Sequence, residues 1–356
     1  MNNTKLEQRN TTLDIIRITA AFSVISVHSL LNNGFYDQIV AGKSMYIACL
    51  IRVLFGHCVP LFIILSGYLV SHKTLSRKYY TGIRKTISIY VLASIACILY
   101  NMFYLNSKYT FKKALLEILG FQAAPYSWYV EMYIGLFLLI PFLNLIYNNL
   151  KNKKQKQILI LTLFTITILP SVFNIYNFET LSWWSTPSSS DNFSRLIPAW
   201  WTSFYPVTYY FIGCYLREFK IKLKTKTILL LFVLCTIAFG TFNFYRSHGG
   251  QFKTGPYIYW NGFEPFILSV LLFIMLSRIK SDNIPRFGKY VLWKISELTL
   301  SMYLVSYIFD NYAYTKLNAA IPDIGGRLPY FFIMVPFVFI CSILLSKILI
   351  SIDKLL

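Results

Sequence analysis

The chain has 356 residues, of which 56% are hydrophobic, 18% aromatic and only 13% charged, whereas about 25% of the residues in a soluble domain are charged. This composition excludes an ordinary soluble domain and predicts a protein that crosses a membrane several times. The formal net charge of +20 would indicate nucleic-acid binding in a soluble protein. Because the basic residues fall mostly in short loops between apolar stretches, topology explains the charge, and we expect no nucleic-acid partner.

The cysteines and histidines predict no metal site. The six cysteines all lie in apolar stretches and include no C-x-x-C pair, as is typical of small buried residues. The four histidines have no H-E-x-x-H or similar metal-binding spacing.

The apolar stretches predict an all-α fold, a polytopic helical bundle that forms a single membrane domain over residues 1–356. A membrane-spanning helix needs about 20 mostly apolar residues, and about ten stretches approach that length. The second of them contains Gly56 and Pro60, which predict a kink or break. The predicted spans are approximately 13–31, 44–71, 86–105, 127–147, 157–174, 203–216, 227–245, 262–277, 295–313 and 330–350.

The distribution of lysine and arginine orients this bundle. If the amino terminus lies in the cytoplasm, most of the 34 basic residues fall in the cytoplasmic segments, and every cytoplasmic loop is enriched over its outer neighbours. Cytoplasmic loops of membrane proteins are enriched in this way. The pattern therefore predicts ten spans with both termini in the cytoplasm.

The first span contains a cation and an imidazole. Arg17 and His28 are 11 residues apart, which is three helical turns plus roughly 20°, so both point the same way about 16 Å apart along the axis. Asp14 lies at the cytoplasmic end. Charged groups in a membrane span are costly and indicate function. The alternative interpretation is that Arg17 snorkels to the surface and His28 hydrogen-bonds a neighbouring helix.

The second span ends in Ser66-Gly67-Tyr68 and is followed by a basic loop that contains Arg77, Arg84 and Lys85. Basic side chains at a cytoplasmic surface suit phosphate groups. Topology alone also predicts basic residues here, so the loop by itself is a weak indication.

Near the outer end of the fourth span, Trp128 and Glu131 lie three residues apart, a spacing that places them on one helix face. Glu131 would lie at the depth of His28 and is a natural partner for that imidazole. The alternative is a glutamate in water at the edge of a loop. The other ionisable residues within the spans are Arg52, His57, Glu264, Glu297 and Asp310.

The longest outer loop, at about 174–202, is rich in tryptophan, serine and proline. Its tryptophans are interpreted either as aromatic residues of the membrane interface or as a surface on which sugar rings stack. They are Trp183, Trp184, Trp200 and Trp201.

Together these segments resemble the acyltransferase-3 family of integral membrane acyltransferases, over the whole chain. Arg17 and His28 match the family's essential arginine and histidine, and Trp128 and Glu131 match its tryptophan/glutamate motif. Two departures occur: Arg84 is followed by Lys85 where members often have paired arginines, and Ser306 stands where many members have histidine. The segments that carry the resemblance, besides the basic loop, are "LDIIRITAAFSVISVH", "VPLFIILSGYL", "SWYVEMYIGLFLLIP", "YYFIGCYL" and "LSMYLVSYIF".

The resemblance implies transfer of an acyl group, usually acetyl, from cytoplasmic acyl-coenzyme A to carbohydrates outside the membrane. The expected partners are acyl-coenzyme A (acetyl-coenzyme A as donor), a cell-surface glycan or lipid-linked saccharide as acceptor, and the lipid bilayer of a bacterial plasma membrane. His28 would be a general base or a covalent acyl carrier, oriented by Glu131. The implied donor-binding residues are Arg17, Ser66, Tyr68, Arg77, Arg84 and Lys85, and the implied substrate-binding residues are Asp14 and Trp128.

Two other classes of protein fit the sequence. A transporter or flippase of a polysaccharide precursor would also have buried ionisable groups, although such proteins often have repeated halves and this sequence has none that we detect. A membrane sensor or structural subunit would tolerate substitution of Arg17 and His28.

Overall fold

The computed structural model describes residues 9–189 and 193–355, except for the side chains of Ser182 and Ser189. About 75% of the chain is helical, and the described residues form no strand. Twelve helices of nine or more residues occur within these ranges. They are α1 (Thr11–Asn32), α2 (Gly42–Phe55), α3 (Cys58–Val70), α4 (Ile83–Phe103), α5 (Phe111–Leu119), α6 (Trp128–Asn149), α7 (Lys153–Thr167), α8 (Tyr205–Glu218), α9 (Thr225–Ser247), α10 (Phe263–Leu276), α11 (Arg286–Ala320) and α12 (Phe331–Asp353).

The all-α prediction is confirmed, and a helix covers most of each predicted span. Six segments of the described chain are both long and apolar enough to cross a membrane. The other four predicted spans fall on α7, α8 and α10, which have 15, 14 and 14 residues, and on the long α11. The count of ten spans and the cytoplasmic position of the termini therefore remain predictions.

The predicted interruption of the second span is confirmed. Helix α2 ends at Phe55 and α3 begins at Cys58, with Gly56 and His57 between them. A side chain at position 56 would place its Cβ 2.7 Å from Nη1 of Arg52. Glycine at this position therefore leaves space for the Arg52 guanidinium. Pro60 lies in the first turn of α3, where the backbone nitrogen has no hydrogen-bond partner within the helix, so proline is tolerated there.

Helices α3 and α8 cross in contact through two glycines. A Cβ on Gly67 would lie 2.0 Å from the carbonyl oxygen of Tyr210, and a Cβ on Gly213 would lie 2.0 Å from that of Ile64. Small residues allow membrane helices to approach closely in this way. This contact explains the glycines in "LSGYL" and "YFIGCYL".

The buried core has one large cluster and two smaller ones. The large cluster contains residues of α1, α3, α8, α10 and α11. One smaller cluster lies beyond the carboxyl end of α1, around Phe35, Val40 and Tyr257, and the other joins Ile25 of α1 to residues of α11 and α12. We call the end of the bundle that contains Arg17 and the 71–85 loop the basic face, and the end that contains His28 the far face.

Candidate functional site

A cavity of about 220 Å³ lies beside α1, between this helix and α3, α6 and α11. We call it the central cavity. Arg17 lines it, and so does Ser66. Its walls are otherwise largely apolar and aromatic. The remaining lining residues are Val24, Val59, Phe62, Leu65, Leu69, Val70, Thr86, Tyr129, Val130, Tyr133, Thr299, Leu300 and Tyr303.

Arg17 is held in place by two neighbours. Its Nη1 donates a hydrogen bond to Oγ of Ser296 at 2.7 Å and lies 3.5 Å from Oδ1 of Asp14. Asp14 is buried and also accepts two hydrogen bonds from Arg9, at 2.7 and 2.8 Å. Asp14 therefore lies between two arginines, and its carboxylate contacts both Arg9 and Arg17. The guanidinium of Arg17 is at the cavity wall with a fixed orientation.

His28 lies at the other end of α1, where three residues surround its ring. The ring of Tyr126 is 3.6 Å from the imidazole, centroid to centroid, and the ring of Tyr303 is 6.3 Å away. Nδ1 of His28 lies 4.0 Å from Oδ2 of Asp310. Tyr303 also lines the central cavity, whereas His28 itself does not.

Tyr126 connects His28 to Asp310. Its hydroxyl donates to Oδ2 of Asp310 at 3.2 Å and accepts from Asn32, whose side chain also donates to the His28 carbonyl. Asp310 is fully buried, and its Oδ1, like Nδ1 of His28, has no hydrogen-bond partner in the described chain. Buried polar atoms without a hydrogen-bond partner are costly and need an explanation, of which a catalytic role is one.

Glu131, which the sequence suggested as the partner of His28, is exposed. Its side chain makes no ion pair or hydrogen bond with any described residue. The carboxylate beside His28 is that of Asp310. Trp128 stacks on Trp260 with ring centroids 5.8 Å apart and an angle of 12° between planes.

The sequence marks Asp310 only as one of the ionisable residues within the spans, with no assigned partner. A signal was available, because Asp310 follows Tyr303 and Ser306 by seven and four residues, which places the three on one helix face. Ser306 and Asp310 are both fully buried. The polar stripe therefore marks the face of α11 that lies against the site.

The predicted donor-binding residues other than Arg17 lie in three different settings. Ser66 lines the cavity, and its hydroxyl donates to the Phe62 carbonyl at 2.9 Å. Tyr68 does not line the cavity and packs against Phe273 with ring centroids 5.4 Å apart. The other residues are exposed on the basic face; they are Arg77, Arg84 and Lys85.

The segment that leads to these basic residues is fixed to the bundle at its start. Nδ2 of Asn144 donates to the carbonyls of Val70 and Lys73 at 2.8 and 2.7 Å, and its Oδ1 accepts from the hydroxyl of Tyr210. Asn144 is buried. The exposed cations therefore follow an anchored segment.

The remaining ionisable residues of the spans make contacts elsewhere. Nε2 of His57 lies 3.3 Å from Oγ of Ser23, Arg52 donates to the Tyr36 hydroxyl at 2.7 Å, and Glu264 accepts from Asn243 at 2.9 Å. Glu297 is partly exposed and lies near Arg9 and Lys294. None of these residues lines the central cavity.

The tryptophans of the 174–202 loop also differ in exposure, and residues 190–192 of this loop lie outside the described chain. Trp183 is buried, and Arg246 lies over its ring at 5.3 Å. Trp184 stacks on Tyr176. Trp200 and Trp201 are exposed. The interface and sugar-stacking interpretations therefore both stay open for the three exposed tryptophans, Trp184, Trp200 and Trp201, whereas Trp183 is part of the interior.

A model of the acyltransferase domain of the acyltransferase-3 family matches residues 10–347. No curated protein and no solved structure matches the chain. The match covers nearly the whole chain, including Arg17, His28 and Asp310, and the described fold is a bundle of apolar helices. The chain belongs to the acyltransferase-3 family and is a membrane acyltransferase.

Proposed function

We propose that this protein transfers an acetyl group from acetyl-coenzyme A, bound at the basic face, to a hydroxyl of a cell-surface carbohydrate or lipid-linked saccharide at the far face. The observation that carries the proposal is the arrangement along α1. Arg17 is fixed at the wall of the central cavity. His28 lies beside Asp310 and Tyr126 at the other end of the same helix.

Acetyl-coenzyme A suits the basic end because the molecule combines charged phosphates with a long uncharged pantetheine arm. A guanidinium binds phosphate oxygens through paired N–H groups, and Arg77, Arg84 and Lys85 supply further exposed cations on the same face. The cavity beyond Arg17 is lined by apolar residues such as Val24, Leu65 and Leu300. We assign the nucleotide phosphates to the basic residues and the pantetheine arm with its thioester to the cavity.

His28 is assigned the proton transfer. The acceptor hydroxyl attacks the thioester carbonyl, a C–O bond forms, the C–S bond breaks, and the coenzyme leaves as a thiolate. Nε2 of His28 takes the hydroxyl proton and returns it to the departing sulfur. Asp310 serves as a positioning residue: its carboxylate, near Nδ1, selects the tautomer in which Nε2 is free and stabilises the cation that forms.

A covalent route uses the same residues. In it, a nitrogen of His28 first attacks the thioester carbonyl, a C–N bond forms, the C–S bond breaks, and the coenzyme leaves as a thiolate. The carbohydrate hydroxyl then attacks the acyl-imidazole, a C–O bond forms, the C–N bond breaks, and the hydroxyl proton passes to the released imidazole. The acyl-histidine would be detected as an imidazole-linked acetyl group after acid-free quenching of the enzyme with donor alone. The direct route predicts no such adduct.

The proposal is tested in membrane vesicles supplied with labelled acetyl-coenzyme A and a cell-envelope glycan fraction. His28→Ala is expected to abolish label transfer to the glycan. His57→Ala is the matched control, because His57 is another histidine within the bundle, and its polar contact is with Ser23 rather than with Asp310 or Tyr126; it is expected to retain transfer. Normal transfer by His28→Ala at normal expression would contradict the catalytic role.

The same preparation separates the enzyme from a transporter or flippase. Transfer predicts release of free coenzyme A thiol that depends on added acceptor. Translocation of a precursor with no thiol release would reject acyl transfer from the coenzyme. Deletion of the gene followed by mass measurement of O-acetyl groups on surface glycans would identify the acceptor.

A further inference from the structure

Helix α5 (Phe111–Leu119) joins α4 to α6 at the far face and has an apolar side that no described residue covers. Phe111, Leu115 and Leu119 follow one another at intervals of four residues, which places them within an arc of about 80°. Phe111 is 86% exposed and Leu119 is 67% exposed. Leu116, also exposed, extends the same side.

The rest of α5 is polar or faces the protein. Lys113 pairs with Glu117 at 3.8 Å, and its Nζ lies over the ring of Tyr109. The only residues of the helix that pack toward the core lie at its carboxyl end, where Ile118 contacts the large cluster. Lys112 is exposed and lies about 100° from Phe111, between Leu119 and Leu116 on the helix circumference. A short amphipathic helix with lysines beside its apolar side is typical of helices that lie in a membrane interface.

The apolar side of α5 continues a surface that faces lipid. Helix α4 is apolar enough to cross the membrane as part of the Arg77–Phe103 segment. Its exposed residues repeat every four or eight positions and reach the far face at Phe103, which is 79% exposed. Only residues 104–110 separate this end from Phe111. The other exposed residues of this stripe are Ile87, Ile95 and Leu99.

We infer that α5 is an interfacial helix that lies in the leaflet of the bilayer at the far face, with Phe111, Leu115, Leu116 and Leu119 at the boundary between headgroups and acyl chains. The lysines reach the headgroup phosphates. The occupant of this surface is lipid, because its exposed apolar residues follow, after only seven residues, those of α4, which belongs to a segment apolar enough to cross the membrane.

The helix is attached to the segment that contacts His28. The hydroxyl of Tyr90 donates to the Ile118 carbonyl at 2.6 Å. Phe121 stacks on Tyr90, and its carbonyl accepts from Ser127. The chain between them leads to Tyr126, which stacks on His28. Lipid contact at α5 would therefore help to hold in place the loop whose Tyr126 packs against the His28 ring.

The test uses nitroxide labels on the full-length protein in phosphatidylcholine vesicles, after Cys235 and Cys341, the two partly exposed cysteines, are replaced by alanine. Leu115→Cys and Leu119→Cys report the apolar side, and Lys113→Cys is the matched control on the polar side. Labelled variants are used only if they elute as the parent protein does. The experiment needs no turnover, so it is independent of the chemistry at His28.

Labels at Leu115 and Leu119 are expected to be several-fold more accessible to oxygen, which partitions into lipid, than to a water-soluble nickel chelate. The label at Lys113 is expected to show the reverse ratio. Equal access of the chelate to Leu115 and Lys113 would place the helix in water and overturn the inference. Protection of Leu115 and Leu119 from both reagents would show that protein, such as a second copy of the chain, covers the surface.

Discussion

Replacement of Asp310 by asparagine tests the positioning role most directly. The substitution keeps the size of the side chain and an oxygen to accept from Tyr126, and it removes the acidic group whose Oδ2 lies 4.0 Å from Nδ1 of His28. At this distance a unit charge stabilises a developing imidazolium by about 4 kcal/mol with an effective dielectric constant of about 20. That energy corresponds to roughly 10³-fold in rate. Because the amide still accepts a hydrogen bond, we expect kcat to fall by about 10²- to 10³-fold.

The assay is the initial rate of coenzyme A thiol release in proteoliposomes with saturating acceptor. The KM for acetyl-coenzyme A is expected to stay within about twofold of the parent value, because Arg17 lies about 16 Å away along α1. Asp323→Asn is the matched control, since Asp323 is an exposed carboxylate that caps a short helix by accepting from Gly326. It is expected to leave kcat unchanged.

A double-variant cycle decides whether Asp310 acts through the histidine. In a His28→Ala background, Asp310→Asn should cause no further loss, because the group that it positions is already absent. A tenfold or greater loss in that background would show that Asp310 acts on something else. Retention of a third or more of the parent kcat by the folded single variant would refute the electrostatic reasoning.

Three further predictions follow from other contacts. Arg17→Lys keeps the charge but loses the planar fork, so the KM for donor should rise about tenfold or more; an unchanged KM in both Arg17→Lys and Arg17→Ala would reject the phosphate role. Gly67→Ala should destabilise the protein by about 1–3 kcal/mol, measured by thermal unfolding in detergent, whereas Gly135→Ala, which has open space at its Cβ, should not. Glu131→Gln should reduce kcat less than Asp310→Asn; the opposite order would restore Glu131 as the partner of His28.

The helices and the alignment of Arg17 with His28 were predictable because they depend on local periodicity and on the spacing along one helix. The interruption at Gly56 was predictable for the same reason. Helix α11 begins at Arg286 and ends at Ala320, well outside the predicted 295–313, because polar residues continue a helix beyond the apolar part that hydropathy detects. Helix α5 was not predicted, since its nine residues are too few for a span.

The partner of His28 was not predictable from local pattern. Asp310 is 282 residues away in the sequence, and the contact exists only because α11 packs against α1. Glu131 does lie in the first turn of a helix, as predicted. Its depth in the membrane, however, does not determine on which side of that helix its side chain lies. The side chain of Glu131 faces away from the buried site.

The break at Gly56 and His57 divides one membrane crossing into two mechanically separate parts. Helix α2 packs closely against α9, where a Cβ on Gly240 would clash with Leu50. Helix α3 packs closely against α8 through Gly67 and Gly213. Of the two helices α2 and α3, only α3 lines the central cavity. A movement of α3 and α8 that widened the cavity for a thioester arm would be absorbed at the break. The half of the span nearer the far face would keep its place while the donor enters.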